Sequence, residues 1–393
     1  MEDTCEHSPD DFSLMIQSLV ARLKKEAAIN QLIANADPLE ADEAFQHLPA
    51  LNEGHDIEGI KRELTLAVAK LSDLPERNFI CCSAAIRDLS MLGASLIRFE
   101  REPAECVSDF SSALLALSAK VATPIPRDSF IDYTSRNPKN KRERTFTSLP
   151  QEKIFIDSLR RGMSSLDACL THLLSACSFS ISQEEFATHL QGATTSFQVM
   201  IDSIVQVKRE ITPEVFTHYI RPFFEPFHVA DKAFSAPSGA EMPILNIDQI
   251  IWGSDCTEEL YTFYFQANIV RLPSVYREIS HIFAGQKSLM TRLKERSVST
   301  IPLSNEERRS IQELHHFLTR IYTFRMPHYK VVEDNVILRQ QERSGDQEVK
   351  GSGGFGLLET KYVLDQTIKC RQITAQMLKT TGDGQRSSTL FTA

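Results

Sequence analysis

The sequence predicts an all-α protein. Apolar residues recur at three- and four-residue spacing through most of the 393 positions. No stretch reads as a convincing strand, and helix-start signals stand ahead of two of the helical patterns. Hydrophobic content of 42% and charged content of 24% are ordinary for a globular chain with room for one large or two moderate domains.

Taken in order, residues 11–36 carry Phe12, Met15, Ile16, Leu19, Val20 and Leu23 on one stripe. Similar stripes run through 56–71, 79–100 and 105–120. The segment Ala122-Thr123-Pro124-Ile125-Pro126 then ends the helical pattern. This divides the chain into a small N-terminal helical domain over 1–120, a connecting segment over 121–150 and a larger helical domain over 151–380, with a flexible tail over 381–393. In the larger domain, helices are expected at 151–178, 183–209, 213–224, 257–284 and 305–341. Thr212-Pro213-Glu214 sets a capping residue before a first-turn proline. Ser304-Asn305-Glu306-Glu307 has capping-box spacing. Between 225 and 253 the period fails, and Pro226, Pro237, Gly239, Pro243 and Gly253 mark a long irregular loop, a length that usually serves a site.

The net charge of −9 and pI near 5.7 argue against a nucleic-acid partner. The one basic cluster, Lys139 to Arg144, lacks interleaved aromatics and reads as a solvated loop. Eight cysteines form no CxxC pair and sit mostly in apolar helical runs, which fits reduced thiols. The acidic start Met1-Glu2-Asp3 is unlike a secretory signal. No apolar run approaches the length of a bilayer span. A cytoplasmic enzyme or binding protein with no membrane partner is the expectation.

One stripe of the 305–341 helix runs Leu314, Leu318, Ile321, Arg325, His328, Val332, apolar at first and polar at Arg325 and His328. Burying these two needs partners. An iron atom for the imidazole and a carboxylate for the guanidinium would serve, and a heme brings both. A hydrogen-bonded core histidine is the other reading, the one that suits His315 and His316, and spacing alone favours it. Pro327 should kink the helix. About twenty residues later, Gly351-Ser352-Gly353-Gly354 permits close backbone approach to a ligand, as would any flexible loop. Arg221, inside Val215-Phe216-Thr217-His218-Tyr219-Ile220-Arg221-Pro222-Phe223-Phe224-Glu225-Pro226, is either a bidentate grip for a substrate carboxylate or a structural partner of Glu225 one turn on.

These elements together resemble the indoleamine 2,3-dioxygenase superfamily and, within it, the monodechloroaminopyrrolnitrin synthase family. The resemblance spans about residues 35 to 380. It rests on Ala36-Asp37-Pro38-Leu39-Glu40-Ala41, Leu48-Pro49-Ala50-Leu51-Asn52, Ala85-Ile86-Arg87-Asp88, Arg221-Pro222-Phe223-Phe224-Glu225-Pro226, Glu241-Met242-Pro243, Ile251-Trp252-Gly253-Ser254 and Gly351-Ser352-Gly353-Gly354. It implies a heme b enzyme of secondary metabolism acting on tryptophan or a halogenated derivative. The expected reaction is ring rearrangement and oxidation with dioxygen or a peroxide, with an electron donor as a candidate partner. Indole 2,3-bond cleavage and non-catalytic heme binding are the competing readings. By matched position, His328 would be the proximal heme ligand and Arg325 a propionate partner, with Gly351, Gly353 and Gly354 beside the cofactor. Arg221 would grip the substrate carboxylate and Phe216 would pack on the ring. Ser352 and Ser158 would add polar contacts, Ser238 and Gly239 would lie over the distal face, and Phe130 and Tyr133 would line the indole pocket. Thr217 and His218 depart from the family pattern, and His218, three residues before Arg221, is expected on the same helix face.

Overall fold

The computed structural model describes residues 9–74, 78–342 and 355–380. The first helices are α1 (Pro9–Asn35), α2 (Asp42–Glu53), α3 (Ile57–Ala69), α4 (Phe79–Ile97), α5 (Pro103–Cys106), α6 (Phe110–Lys120) and α7 (Phe130–Tyr133). The stripe on α1 behaves as its spacing requires: Ile16, Leu19 and Leu23 are buried, while Phe12 and Val20 pack at the margin of the core. α2 escapes the periodicity reading because it is short and carries Pro49. α4 is capped by Asn78, whose side chain accepts a hydrogen bond from the Cys81 amide at 3.1 Å. By length and composition α4 could cross a bilayer, contrary to the expectation that no run qualifies, but 83% of its apolar window is buried inside the protein. It is the central helix of the N-terminal layer.

α8 (Pro150–Cys177), α9 (Glu184–Glu210), α15 (Asn305–Glu342) and α16 (Leu357–Thr380) pack one against the next. Between α9 and α15 come α10 (Pro213–Val215), α11 (Ile244–Asp248), α12 (Glu259–Ile269), α13 (Ser274–Phe283) and α14 (Leu289–Ser297). The expected 257–284 helix is thus two helices, broken where Pro273 withdraws an amide donor. α15 begins at the predicted capping box: Ser304 N donates to Glu307 at 2.8 Å, and Glu307 N donates to Ser304 Oγ at 3.2 Å. It continues as one helix through Pro327. The 225–253 loop holds more structure than its composition suggests. β1 (Phe227–Val229) and β2 (Lys232–Phe234) form an antiparallel hairpin with Phe227 opposite Phe234. Strands of three residues are too short to show alternation in sequence. α11 then runs on into a π-turn over Gln249–Gly253. There Gly253 is required, since a Cβ would overlap the Tyr261 hydroxyl.

The basic cluster is only partly a solvated loop. Lys139 and Lys141 are exposed, but Arg144 is fully buried and ion-paired to Asp37, Asp42 and Asp88. Asp88 also pairs with buried Arg87 at 2.7 Å. Burial works against the Asp88 charge, yet Arg87 and Arg144 outweigh it and hold its pKa below the usual carboxylate range. Arg136 adds links to Asp132 at 3.1 Å and Glu26 at 3.4 Å. This ionic web fastens 127–144 to α1 and α4. The seven cysteines among the described residues are free thiols.

Candidate active site

The stripe on α15 delivers Arg325 and His328 to the interior. Ile311, Leu314, Leu318 and Ile321 precede them, each at most 1% exposed. Arg325 receives its carboxylate from the protein: it ion-pairs with Asp248 at the end of α11. It also donates to Thr367 Oγ1 and, at 3.0 Å, to the Val363 carbonyl, both on α16. One guanidinium therefore joins α11, α15 and α16. Burial raises the pKa of Asp248, against the opposing pull of Arg325 and the Trp252 indole.

His328 stacks on Phe324 with ring centroids 5.4 Å apart and planes 17° from parallel, and Phe324 in turn meets Phe197 edge-on. The imidazole is half-buried. Burial first and the Arg325 charge second push its pKa down to about 4, so the ring is neutral at physiological pH. Neither ring nitrogen has a hydrogen-bond partner among the described residues. The two other histidines of this helix behave differently. His315 Nδ1 bonds Thr374 Oγ1 at 2.9 Å, and His316 is exposed beside Glu313.

The Phe216–Arg221 segment reaches the same helix. After α10 the chain widens into a π-turn over Phe216–Ile220 before a 3-10 turn at Arg221–Phe223. Thr217 Oγ1 donates to Asn335 Oδ1 at 3.2 Å, and Asn335 lies on α15 about 10 Å beyond His328 along the helix axis. The π-turn also corrects an expectation. With more residues per turn, His218 faces solvent while Arg221 is buried, so the two do not share a face. Arg221 Nη1 donates to the Phe224 carbonyl and, at 2.9 Å, to Glu225, the pairing that i,i+4 spacing anticipated. Glu225 lies 3.5 Å from Arg339 of α15 as well.

Rings connect this segment to α7 and α8. Phe216 meets Phe155 at 5.6 Å, Phe155 meets Tyr133 at 6.4 Å, and Tyr133 meets Phe224 at 5.0 Å. Tyr133 donates its hydroxyl to fully buried Glu152 at 3.0 Å. Burial and the neighbouring Glu152 raise the phenol pKa well above its ordinary value. Ser158 lies one turn after Phe155 on α8 and is fully buried, with Arg161 Nη2 at 3.5 Å from its hydroxyl. Phe130 N donates to Glu241 at 2.9 Å, which ties α7 to the turn carrying Ser238 and Gly239. Ser238 is buried and its hydroxyl accepts from the Ala240 amide at 3.2 Å, while Gly239 is exposed. Phe130, Tyr133, Ser158, Phe216 and Arg221 are thus linked through α7 and α8. Gly351, Ser352, Gly353 and Gly354 lie outside the described residues. Asp248 and Asn335 were missed in sequence. Neither belongs to a motif, and each meets its partner across 77 and 118 residues.

Among the described residues the chain is helical apart from one short hairpin, an architecture consistent with the indoleamine 2,3-dioxygenase superfamily of heme enzymes. The family model for monodechloroaminopyrrolnitrin synthase PrnB matches residues 30–358, most of the chain, and the protein belongs to that family. It is a heme-dependent oxidoreductase of secondary metabolism that acts on tryptophan derivatives.

Proposed function

We propose that the chain binds heme b through His328 and rearranges and oxidises a ring-halogenated tryptophan, using dioxygen or a peroxide, in the cytoplasm. The observation that carries this reading is the Thr217–Asn335 bond, which draws the Phe216–Arg221 segment onto the helix that bears His328. The donor chemistry of His328 fits the cofactor: a neutral imidazole with no hydrogen-bond partner among the described residues is ready for axial ligation.

Bound heme supplies the oxidation chemistry that no side chain here offers. The chain supplies position and exclusion of water. Arg325, locked by Asp248, Thr367 and Val363, fixes the segment of α15 that presents His328. Arg221 addresses the substrate carboxylate with its planar fork, while Glu225 accepts from Nη1 and orients the guanidinium. Phe216 and Tyr133, bridged by Phe155, give the aromatic wall that takes the indole ring. Buried Ser158 offers a hydroxyl to the polar edge of the substrate, and Ser352 is assigned a similar contact from its motif.

The test is a spectral titration of the heme-loaded protein with L-tryptophan, halogenated tryptophans and tyrosine. Wild type should show a saturable shift with the tryptophans, and Arg221→Ala should weaken it by about 100-fold, the worth of a bidentate charged contact. An unchanged response in Arg221→Ala removes the carboxylate grip. Product mass separates rearrangement from ring cleavage, because cleavage adds two oxygen atoms and gives N-formylkynurenine absorbance.

A further inference from the structure

Trp252, the single tryptophan of the chain, stands in the π-turn that follows α11. It is buried, and its indole N–H donates to Asp248, the carboxylate that also holds Arg325 one turn before His328. Two phenols pack on this indole. Tyr261 of α12 is the nearer, with ring centroids 4.5 Å apart, and Tyr362 of α16 lies at 6.2 Å. Their hydroxyls differ. That of Tyr261 is buried with no hydrogen-bond partner among the described residues. That of Tyr362 bonds to exposed Glu258 and lies 3.8 Å from the Cys256 thiol. Tyr362 is half-buried, so the series Arg325, Asp248, Trp252, Tyr362, Glu258 runs from beside His328 to the surface.

Indole and phenol rings give up single electrons readily, and the loss turns each into a strong acid. The electron therefore leaves easily only where a base takes the proton. Trp252 has Asp248, and Tyr362 has Glu258. Oxidised Tyr261 would keep its proton, and with it a positive charge, in a buried setting, which is unfavourable. Proton acceptance, not distance, selects the branch to Tyr362. We propose that Trp252 and Tyr362 carry single electrons from the surface at Glu258 to the cofactor. The inner end of this route rests on heme binding at His328. After hydrogen peroxide has oxidised the heme, Trp252 gives it one electron and passes the indole proton to Asp248. Tyr362 then gives one electron to Trp252, which recovers its proton from Asp248, and the phenol proton goes to Glu258. The net transfer is one electron from Tyr362 to the heme and one proton from Tyr362 to Glu258. A one-electron reductant in solution, such as ascorbate, restores Tyr362 with an electron while Glu258 returns the proton.

Two measurements on the full-length, heme-reconstituted protein test the route, with Cys256→Ser as the parent so that the thiol does not quench a phenoxyl radical. In the first, a laser flash photoionises Trp252 and transient absorption follows the radicals. The indolyl band should decay as the phenoxyl band rises. Tyr362→Phe should abolish that rise, exposed Glu258→Gln should slow it, and Tyr261→Phe should leave it unchanged. A rise that is absent in the parent, survives Tyr362→Phe, ignores Glu258→Gln or is lost in Tyr261→Phe overturns the proposal. This step needs no iron, so its result stands apart from the heme reading. In the second, hydrogen peroxide is added without substrate and the sample is frozen for electron paramagnetic resonance. The parent should give a tyrosyl signal that is lost in Tyr362→Phe and in Trp252→Phe, with the Soret band retained in both. An unchanged signal in either variant overturns the route to the heme, whereas a missing Soret band in the parent overturns heme binding itself. A melting curve for each variant separates a lost route from a lost fold.

Discussion

Replacing Asp248 by leucine strands the Arg325 guanidinium. Both residues are nearly fully buried, at 3% and 5% exposed, so no solvent takes over the lost partner. Breaking one side of a buried ion pair costs about 3–5 kcal/mol. Arg325 keeps its bonds to Val363 and Thr367, which places the expected loss near the lower end, at about 3 kcal/mol. Arg325→Leu leaves a buried carboxyl whose pKa is already raised, and a carboxyl that takes up a proton behaves as an unmatched polar group costing about 2 kcal/mol. In the double variant both costs are relieved together by two apolar side chains. It should therefore lie about 2–3 kcal/mol above the sum of the single losses. Urea unfolding followed by far-ultraviolet circular dichroism measures all four proteins. Against a typical total of about 5–15 kcal/mol, these are large effects. Additive losses, with coupling below about 0.5 kcal/mol, would show that the pair does not join α11 to α15, and the account of how His328 is held would fail.

Gly253→Ala should lower the melting temperature by several degrees, since the added methyl meets the Tyr261 hydroxyl and the π-turn at Gln249–Gly253 has no room to yield; an unchanged melt contradicts the packing. Asp167 carries a pKa raised to about 7, by burial and by Glu26 against the opposing hydrogen bond from Tyr276. The folded state then holds a proton that the unfolded state, with a pKa near 3.8, gives up. This stabilisation is complete below about pH 4 and is lost as pH rises toward 7. Asp167→Asn should flatten that decline in denaturation midpoints between pH 4 and 7, and an unaltered slope would show that the group titrates normally.

Much of the fold follows from local pattern. α1, α8, α9 and α15 keep a 3.6-residue apolar period over many turns, and the capping box at Ser304 starts α15 where its spacing says it should. Long elements survive because many residues vote for one face. The hairpin of β1 and β2, α2 and the split at Pro273 were harder, being short or decided by a single residue. The site divides in the same way. Arg325 and His328 stand on one stripe and could be read together, and Arg221–Glu225 is a local i,i+4 pair. Asp248, Asn335 and the three carboxylates around Arg144 could not be read, because each meets its partner across a long loop of chain. His218 was misplaced since a π-turn rotates every later side chain, and nothing in its composition announces one.

The most direct test of the central claim is the absorption spectrum of the full-length protein after reconstitution with heme, wild type beside His328→Ala and His315→Ala. Wild type and His315→Ala should show the same Soret band at one heme per chain, because His315 is occupied by Thr374. His328→Ala should lose the band, or show it shifted, weak and restored by added imidazole. An unaltered Soret band in His328→Ala would contradict the account.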